Sequence, residues 1–384
     1  MLRVALIGCG KIAESHAAQI QRIPNCEIAG VCDQEELMAQ QFQERFGAKR
    51  AFTDLGELLE EAKPDVVHVT TPPASHFELG RRCLLGGANV YIEKPFTLNT
   101  TQAEELVALA KDRKLKLTAG HDYQFRHAAR RMRQLVQAGY LGGPPVHMES
   151  HFCYELGKGN AYAKALLADK HHWVRQLPGQ LLQNIISHGI ARIAEFLTSD
   201  SPDVLALGFV SPALRQMGEK EIIDELRVTI SEQERVTAYF TFSSQMRPSL
   251  HQFRIYGPRH GLLLDEDNES LVRLNGTRYK SYLQFFVSPL VMAREYTANT
   301  VRNARLFLAR DFQMKSGMKY LIESFYRSIS QDGPLPISYA EILRTSRIMD
   351  SIFDQLRLQR TASLAKIAFE GREAEPLAHD TARR

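Results

Sequence analysis

The chain has 384 residues, more than one ordinary hydrophobic core holds, so two domains are expected. It is 24% charged and 44% hydrophobic with a net charge of +4, a globular balance with no concentrated basic patch for nucleic acid. Five scattered cysteines (Cys9, Cys26, Cys32, Cys83, Cys153), none in a CxxC pair, argue against a disulfide framework and against a metal site, and fit a reduced, cytoplasmic chain. Met1-Leu2-Arg3 leads directly into a strand pattern without a signal-like region, and no apolar run reaches the ~18 residues of a membrane span.

The first 120 residues alternate between two periods. Strands are expected at 2–7, 27–32, 65–70, 89–92 and 115–119, and helices at 11–22, 35–46, 54–62, 75–86 and 100–113. Such alternation predicts a parallel, doubly wound sheet. The first strand runs into Gly8-Cys9-Gly10-Lys11-Ile12-Ala13, a dinucleotide-binding fingerprint with Ala in the third small position. Gly8 permits the tight turn, Gly10 lets backbone approach a pyrophosphate, and Ala13 lets the helix pack on its strand. The free N–H groups of that turn and helix start, on Gly8 to Ile12, then face the anion. Asp33 ends the second strand 23 residues after Gly10, where a carboxylate accepts from ribose hydroxyls. It repels a 2′-phosphate, and Gln34-Glu35-Glu36 adds no cation, so NAD is expected over NADP. Asp33 can also cap the helix that follows. Thr71 and Pro72, after the 65–70 strand, are expected to wall the cofactor groove, since ligands bind beyond the carboxyl ends of such strands.

The character changes near residue 121. A helix over 126–138, a Gly/Pro turn at 140–145 and a strand over 146–154 lead to helical apolar spacing from Leu181 to Leu197. Strands follow at 203–210, 224–231, 234–243, 250–257, 260–265 and 269–274, the sign of an antiparallel sheet. The predicted architecture is an α/β Rossmann domain (1–120) and an α+β domain (121–336) with a largely antiparallel, open-faced sheet. Residues 279–312 read as an amphipathic helical insertion, either an extra packing helix or a membrane-surface element through 282–310. A last helix at 337–357 is expected to return to the first domain, and 361–384 to form a flexible tail.

Val90-Tyr91-Ile92-Glu93-Lys94-Pro95 places Glu-Lys-Pro at the cofactor end of a strand. With Gly8–Ala13, Asp33, Thr71-Pro72-Pro73, His76, Gly120–Phe125 and a helix carrying His188, the chain resembles the glucose–fructose oxidoreductase / inositol dehydrogenase / rhizopine-catabolism (Gfo/Idh/MocA) family over about residues 2–357. The resemblance implies a nicotinamide-dependent oxidoreductase of sugars, polyols or nucleotide sugars, in homodimers or homotetramers. It makes His76 and Glu93 cofactor contacts, Lys94 the principal acid/base and His188 its assistant. A lysine near a nicotinamide, partly desolvated, has the lowered pKa this role needs. The family often has Asp-x-x-x-His on this helix. Here Asn184 stands four residues before His188, and an amide orients a hydroxyl but takes no proton. Gln180 also departs from the family's glycine-rich approach. Tyr123 and Trp173 are candidate substrate contacts, Trp173 being somewhat better suited to fill core, and His151, Tyr154, Lys158, His171, His172 and Arg175 are weaker ones. The alternatives are a nucleotide-sugar dehydrogenase of surface polysaccharide synthesis and a non-catalytic NAD(H)-binding sensor.

Overall fold

The computed structural model describes residues 1–156, 161–233, 235–276, 279–280, 282–312 and 315–373. Lys158 lies outside them. The first sheet comprises β1 (Leu2–Ile7), β2 (Cys26–Cys32), β3 (Ala51–Phe52), β4 (Val66–Val69), β5 (Asn89–Ile92) and β6 (Leu117–Ala119). Its spatial order is 3-2-1-4-5-6 and every pair is parallel. The connecting helices are α1 (Lys11–Ile20), α2 (Glu36–Phe46), α3 (Leu55–Glu57, continued by a π turn over Leu58–Ala62), α4 (His76–Leu85) and α5 (Thr100–Asp112). Helices on both faces bury β1, β4 and β5, which explains their continuous apolar runs. The strand order reverses between β1 and β4, and the crevice beyond their carboxyl ends is the binding position of such sheets.

A single turn over Asp122–Phe125 leads to α6 (His127–Gln137) and β7 (His147–Phe152). Then come α7 (Ala161–Ala168), α8 (Gln180–Ile185), α9 (Ser187–Ala194), β8 (Asp203–Phe209), α10 (Pro212–Gln216), β9 (Glu225–Glu232), β10 (Val236–Ser243), β11 (His251–Tyr256), β12 (His260–Asp265) and β13 (Ser270–Asn275). The seven strands from β7 to β13 form a sheet ordered 13-12-11-7-10-9-8, antiparallel except where β7 meets β10. Val228, Phe240 and Phe253 bury one face against α9, while Leu205, Thr229 and Tyr239 point outward. The predicted open face is therefore real.

Both edges of this sheet are closed by amide side chains. In α13 (Tyr339–Glu373), Gln355 accepts from Ala206 N and donates to Val204 O, and Gln359 donates to Ala206 O. At the other edge Asn299 of α11 (Leu283–Leu308) accepts from Leu271 N and donates to Leu271 O. An amide thus continues the ladder where another strand would otherwise add. The expected insertion is α11, fixed by Asn299 and by Glu295, which pairs with Arg273 at 2.6 Å.

Two boundaries differ from the sequence reading. The helix α12 (Ser316–Ser330), placed by sequence inside 121–336, supplies Met318, Leu321, Ile322 and Phe325 to the first core. The last helix does not stop at 357 but runs to Glu373, and residues 374–384 lie outside the described ones. It also bridges the cores. Ile342 enters the first, and Ile348, Ile352 and Phe353 enter the second.

Candidate active site

The β1–α1 turn shows why its glycines are there. Gly8 has φ +87°, and a Cβ on it would meet Thr71 Cγ2 at 2.7 Å. A Cβ on Gly10 would meet no protein atom within 4 Å. Gly10 therefore borders open space, and as the N-cap of α1 it leaves the first N–H groups without a side-chain cap. A groove of about 560 Å³ lies here, lined by Gly8, Gly10, Asp33, Thr71, Pro72 and Arg82 among others. Uncapped donors, a glycine facing space and a carboxylate at the end of β2 suit the pyrophosphate and ribose of a dinucleotide. Asp33 also holds the turn, accepting from Cys9 N at 2.7 Å and Glu35 N at 3.0 Å. These bonds tie the β1–α1 turn to the start of α2, whose N-cap is Glu35 rather than Asp33. Burial pushes the Cys9 thiol up to about 12, so Cys9 serves through its backbone. Lys11 is exposed and Ile12 half-buried at the start of α1. Arg82, brought by α4 from far along the sequence, was not anticipated.

His76 does not face this groove. It is buried, with Nε2 2.8 Å from Thr71 O and Nδ1 2.9 Å from Pro95 O. It ties the loop after β4 to the loop after β5, so its expected cofactor contact gives way to a positioning role.

Lys94 follows β5, next to a cis Lys94–Pro95 bond. Its Nζ donates to Asn184 O at 2.9 Å. The expected continuous helix over 181–197 is broken at Ile186 into α8 and α9. Among the described residues no helical hydrogen bond joins 187–189 back to 183–185. The Asn184 carbonyl serves Lys94 instead, a side chain entering the ladder. Asn184 thus acts through its backbone, whatever its amide does. Burial lowers the Lys94 pKa, with Glu93 and Asp122 opposing and Lys315 adding to the fall.

His188 opens α9 almost fully buried, its Nδ1 without a hydrogen-bond partner. Burial, then the charges of Lys94, Arg126 and Lys315 with His121, hold it well below an ordinary histidine. It is therefore neutral at pH 7. Tyr123 packs on it at 4.5 Å, and the Arg126 guanidinium lies 3.8 Å over the Tyr123 ring. His121 lies 6.1 Å from His188. Burial drives His121 down to about 4, and its Nε2 is buried without a partner. Two imidazole nitrogens of this cluster are thus buried without a hydrogen-bond partner.

Three residues of this cluster were not named as site candidates from the sequence, although two of them lie in the Gly120–Phe125 segment that carries the family resemblance. His121 and Asp122 follow β6, and Lys315 is the N-cap of α12. Asp122 is buried, and burial raises its pKa against the pull of Lys315, Arg126 and Lys94. Gly317 makes this meeting possible, since a Cβ there would strike Asp122 O at 2.3 Å. Trp173 does not fill core. It is 38% exposed, its ring stacked on His172. Among the described residues no cluster of metal-binding side chains occurs, and no helix is long and apolar enough to cross a membrane.

Residues 2–121 match the model of an oxidoreductase family with an NAD-binding Rossmann fold, Gfo/Idh/MocA. The N-terminal domain is a Gfo/Idh/MocA NAD-binding domain. The chain is 27% identical over 145 residues to myo-inositol 2-dehydrogenase of Thermotoga maritima, covering 38% of this chain and 43% of that protein. It is 35% identical over 144 residues to D-glucoside 3-dehydrogenase of Escherichia coli, covering 37% and 40%. It thus spans about two fifths of the length of these curated relatives. The fold of both domains recurs in the WlbA dehydrogenase of Bordetella pertussis, solved with NADH and UDP-GlcNAcA. That likeness has a TM-score of 0.73 at 13% identity over 93% of this chain and 95% of that one. Beside this NAD-binding domain stand α8, whose Asn184 carbonyl receives Lys94, and α9, whose His188 meets Tyr123 of the turn at Asp122.

Proposed function

We propose that the chain is an NAD(H)-dependent oxidoreductase that moves a hydride between nicotinamide and a hydroxyl or ketone of a sugar, polyol or nucleotide sugar. One observation carries the reading. Lys94, at the carboxyl end of the parallel sheet, reaches across to the backbone of α8, four residues before the buried and unpartnered His188. An acid/base group with lowered pKa and a neutral imidazole thus share one cleft beside the dinucleotide groove.

Bound nicotinamide supplies or accepts the hydride at its C4. The side chains do the rest. In the oxidative direction Lys94 takes the hydroxyl proton, and in the reductive direction it returns one to the carbonyl oxygen. His188 Nδ1 or Nε2 orients the same oxygen without competing for positive charge. Tyr123 holds the His188 ring. Screening sugars, polyols and nucleotide sugars for change at the NADH absorbance band tests the reading. Turnover of none of them, with NADH still bound, would favour a non-catalytic sensor.

The five unpaired thiols support a reducing, cytoplasmic setting. Assembly as a homodimer or homotetramer is supported by the outer sheet face, where Leu205, Leu207 and Tyr239 are 70%, 58% and 52% exposed. A monomer by light scattering across micromolar concentrations would remove that assembly. Flotation with liposomes would reveal a membrane role for Phe285 and Phe286, exposed on α11.

A further inference from the structure

A hydrogen-bonded file of four titratable side chains crosses the first domain and takes no part in the chemistry above. Glu93 Oε1 lies 2.8 Å from His16 Nε2. His16 Nδ1 lies 2.8 Å from His68 Nδ1, and His68 Nε2 lies 2.8 Å from the Tyr326 hydroxyl. The four residues come from the end of β5, α1, β4 and α12. His16 and His68 are fully buried, and Glu93 and Tyr326 nearly so. Tyr91 stacks on His68 at 4.7 Å and meets His16 edge-on at 5.1 Å, sheathing the file. Gly120 leaves room for its inner end, since a Cβ there would lie 2.8 Å from Glu93 Oε1.

With neutral imidazoles and an ionised Glu93, one arrangement of protons satisfies every link. A carboxylate only accepts, so His16 Nε2 donates to Glu93. His16 Nδ1 then accepts from His68 Nδ1, and His68 Nε2 accepts from the Tyr326 hydroxyl. All donors point toward the cleft. Burial, and the charge of His16 when it is protonated, hold His68 well below an ordinary histidine, and burial holds Tyr326 well above an ordinary phenol. Burial pushes Glu93 up, but the hydrogen bond and charge of His16, the charge of Lys94 and the Lys94 N–H outweigh it and keep the carboxyl below its usual range.

The two ends open in different places. Glu93 adjoins Lys94 and acts electrostatically on His121. Tyr326 lines an open groove of about 610 Å³ with Leu2, Cys26, Asp65 and Arg327. Leu2 and Cys26 begin β1 and β2, so this groove lies at the amino ends of the parallel strands, across the sheet from the cofactor groove.

We propose that Glu93, His16, His68 and Tyr326 form a proton wire between the Glu93 carboxyl, next in sequence to Lys94, and water on the far side of the sheet. The inference rests on the oxidoreductase reading, because an alcohol that loses a hydride also loses its hydroxyl proton. His188 and His121 are too weakly basic to store that proton at pH 7, and Lys94 must give it up before it can act again. In the inward direction the Tyr326 O–H bond breaks as His68 Nε2–H forms. His68 Nδ1–H breaks as His16 Nδ1–H forms, and His16 Nε2–H breaks as Glu93 Oε1–H forms. The Tyr326 oxygen then takes a proton from groove water. One proton has moved from solvent to Glu93, with no change in oxidation state. The outward direction reverses each step.

The first test needs no substrate. In the full chain with ¹⁵N-labelled histidine, NMR should show scalar coupling across the His16–His68 N–H···N bond. That proton should exchange with water faster than the backbone amides of β4, and Tyr326→Phe should keep the coupling but slow the exchange at least ~10-fold. Equal exchange in both proteins, or wild-type exchange no faster than β4, overturns the wire whatever the activity. On the NADH-loaded enzyme in dilute buffer, Tyr326→Phe should slow single-turnover reduction at least ~10-fold, and added imidazole should restore it. A loss that imidazole does not restore marks a merely structural cluster and also overturns the wire. Slowed exchange without turnover of any carbohydrate supports the wire and removes the proposed function instead.

Discussion

In the cofactor groove the protein presents the backbone of Gly8, Cys9, Gly10 and the uncapped start of α1, with the side chains of Asp33, Asp54 and Arg82. On the facing wall it presents side chains drawn from β5, the turn after β6, α9 and the cap of α12. The first wall is built on the glycine turn after β1 and on Asp33 at the end of β2. The second is made by the meeting of four distant segments, and each is held by something outside the cleft. Gly317 lets α12 approach Asp122, and the broken ladder at Ile186 frees the carbonyl that holds Lys94. A wall of backbone binds by shape and dipole. A wall of buried charges acts by proton affinity, which every neighbour shifts.

The sharpest way to break this contrast is to remove Lys94. Lys94→Ala should lower turnover at least ~10²-fold, more than His188→Gln does, and leave NADH affinity by calorimetry nearly intact. A parallel loss of NADH binding would show that the two walls are not separable. The pH profile sharpens the same point. Oxidation needs the free amine, and the Lys94 pKa is lowered, so kcat/KM should rise with pH and level off below the pH expected of an ordinary lysine.

On the other wall, Asp33→Ala should weaken NADH binding by about tenfold while NADPH binding weakens less or improves, as judged by calorimetry. Tighter NADPH than NADH binding in the wild type would sink the reading of Asp33. Arg82 in the same groove is the cation to suspect in that case.

Stability against pH tests the buried histidines. In the folded chain His121 titrates at about 4, and His188 and His68 are also held neutral by burial. The unfolded chain takes up their protons near pH 6.5, so it binds more protons between there and the folded values. Their contribution is whole above about pH 7 and is lost as pH falls. Tm should therefore drop between pH 7 and 5, and His121→Gln should flatten that slope. The smallest effect is expected at Gln180, whose φ is +46°. Gln180→Gly should raise unfolding free energy by about 1 kcal/mol in urea titration, since a side chain there sits in the left-handed region. A fall would mean that the Gln180 side chain makes a contact worth more than the strain.

The sequence reading went furthest where one stretch of chain makes the feature. The alternation of periods predicted a doubly wound sheet, and the spacing from Gly10 to Asp33 located both ends of the groove. The Glu-Lys-Pro end of β5 marked Lys94. Local contacts impose these patterns, so they are written in neighbouring residues. His76 misled because its role is set by two carbonyls, at Thr71 and Pro95, that no motif brings together. Trp173 misled because its burial depends on what packs over it. The helix over 181–197 had continuous apolar spacing, and its break lies where Lys94 arrives from the first domain to take the Asn184 carbonyl.

What the sequence determined by itself, then, is the first sheet, its glycine turn and the positions of Lys94 and His188, because hydrophobic period and turn chemistry are properties of short segments. The tertiary structure alone decided that α12 belongs with the first core, and that His121, Asp122 and Lys315 join the cleft. It also decided that His16 and His68 stand in file between Glu93 and Tyr326. These depend on residues as much as 258 positions apart meeting in the fold, and on burial that turns ordinary side chains into shifted acids and bases. A linear pattern records neither the meeting nor the burial.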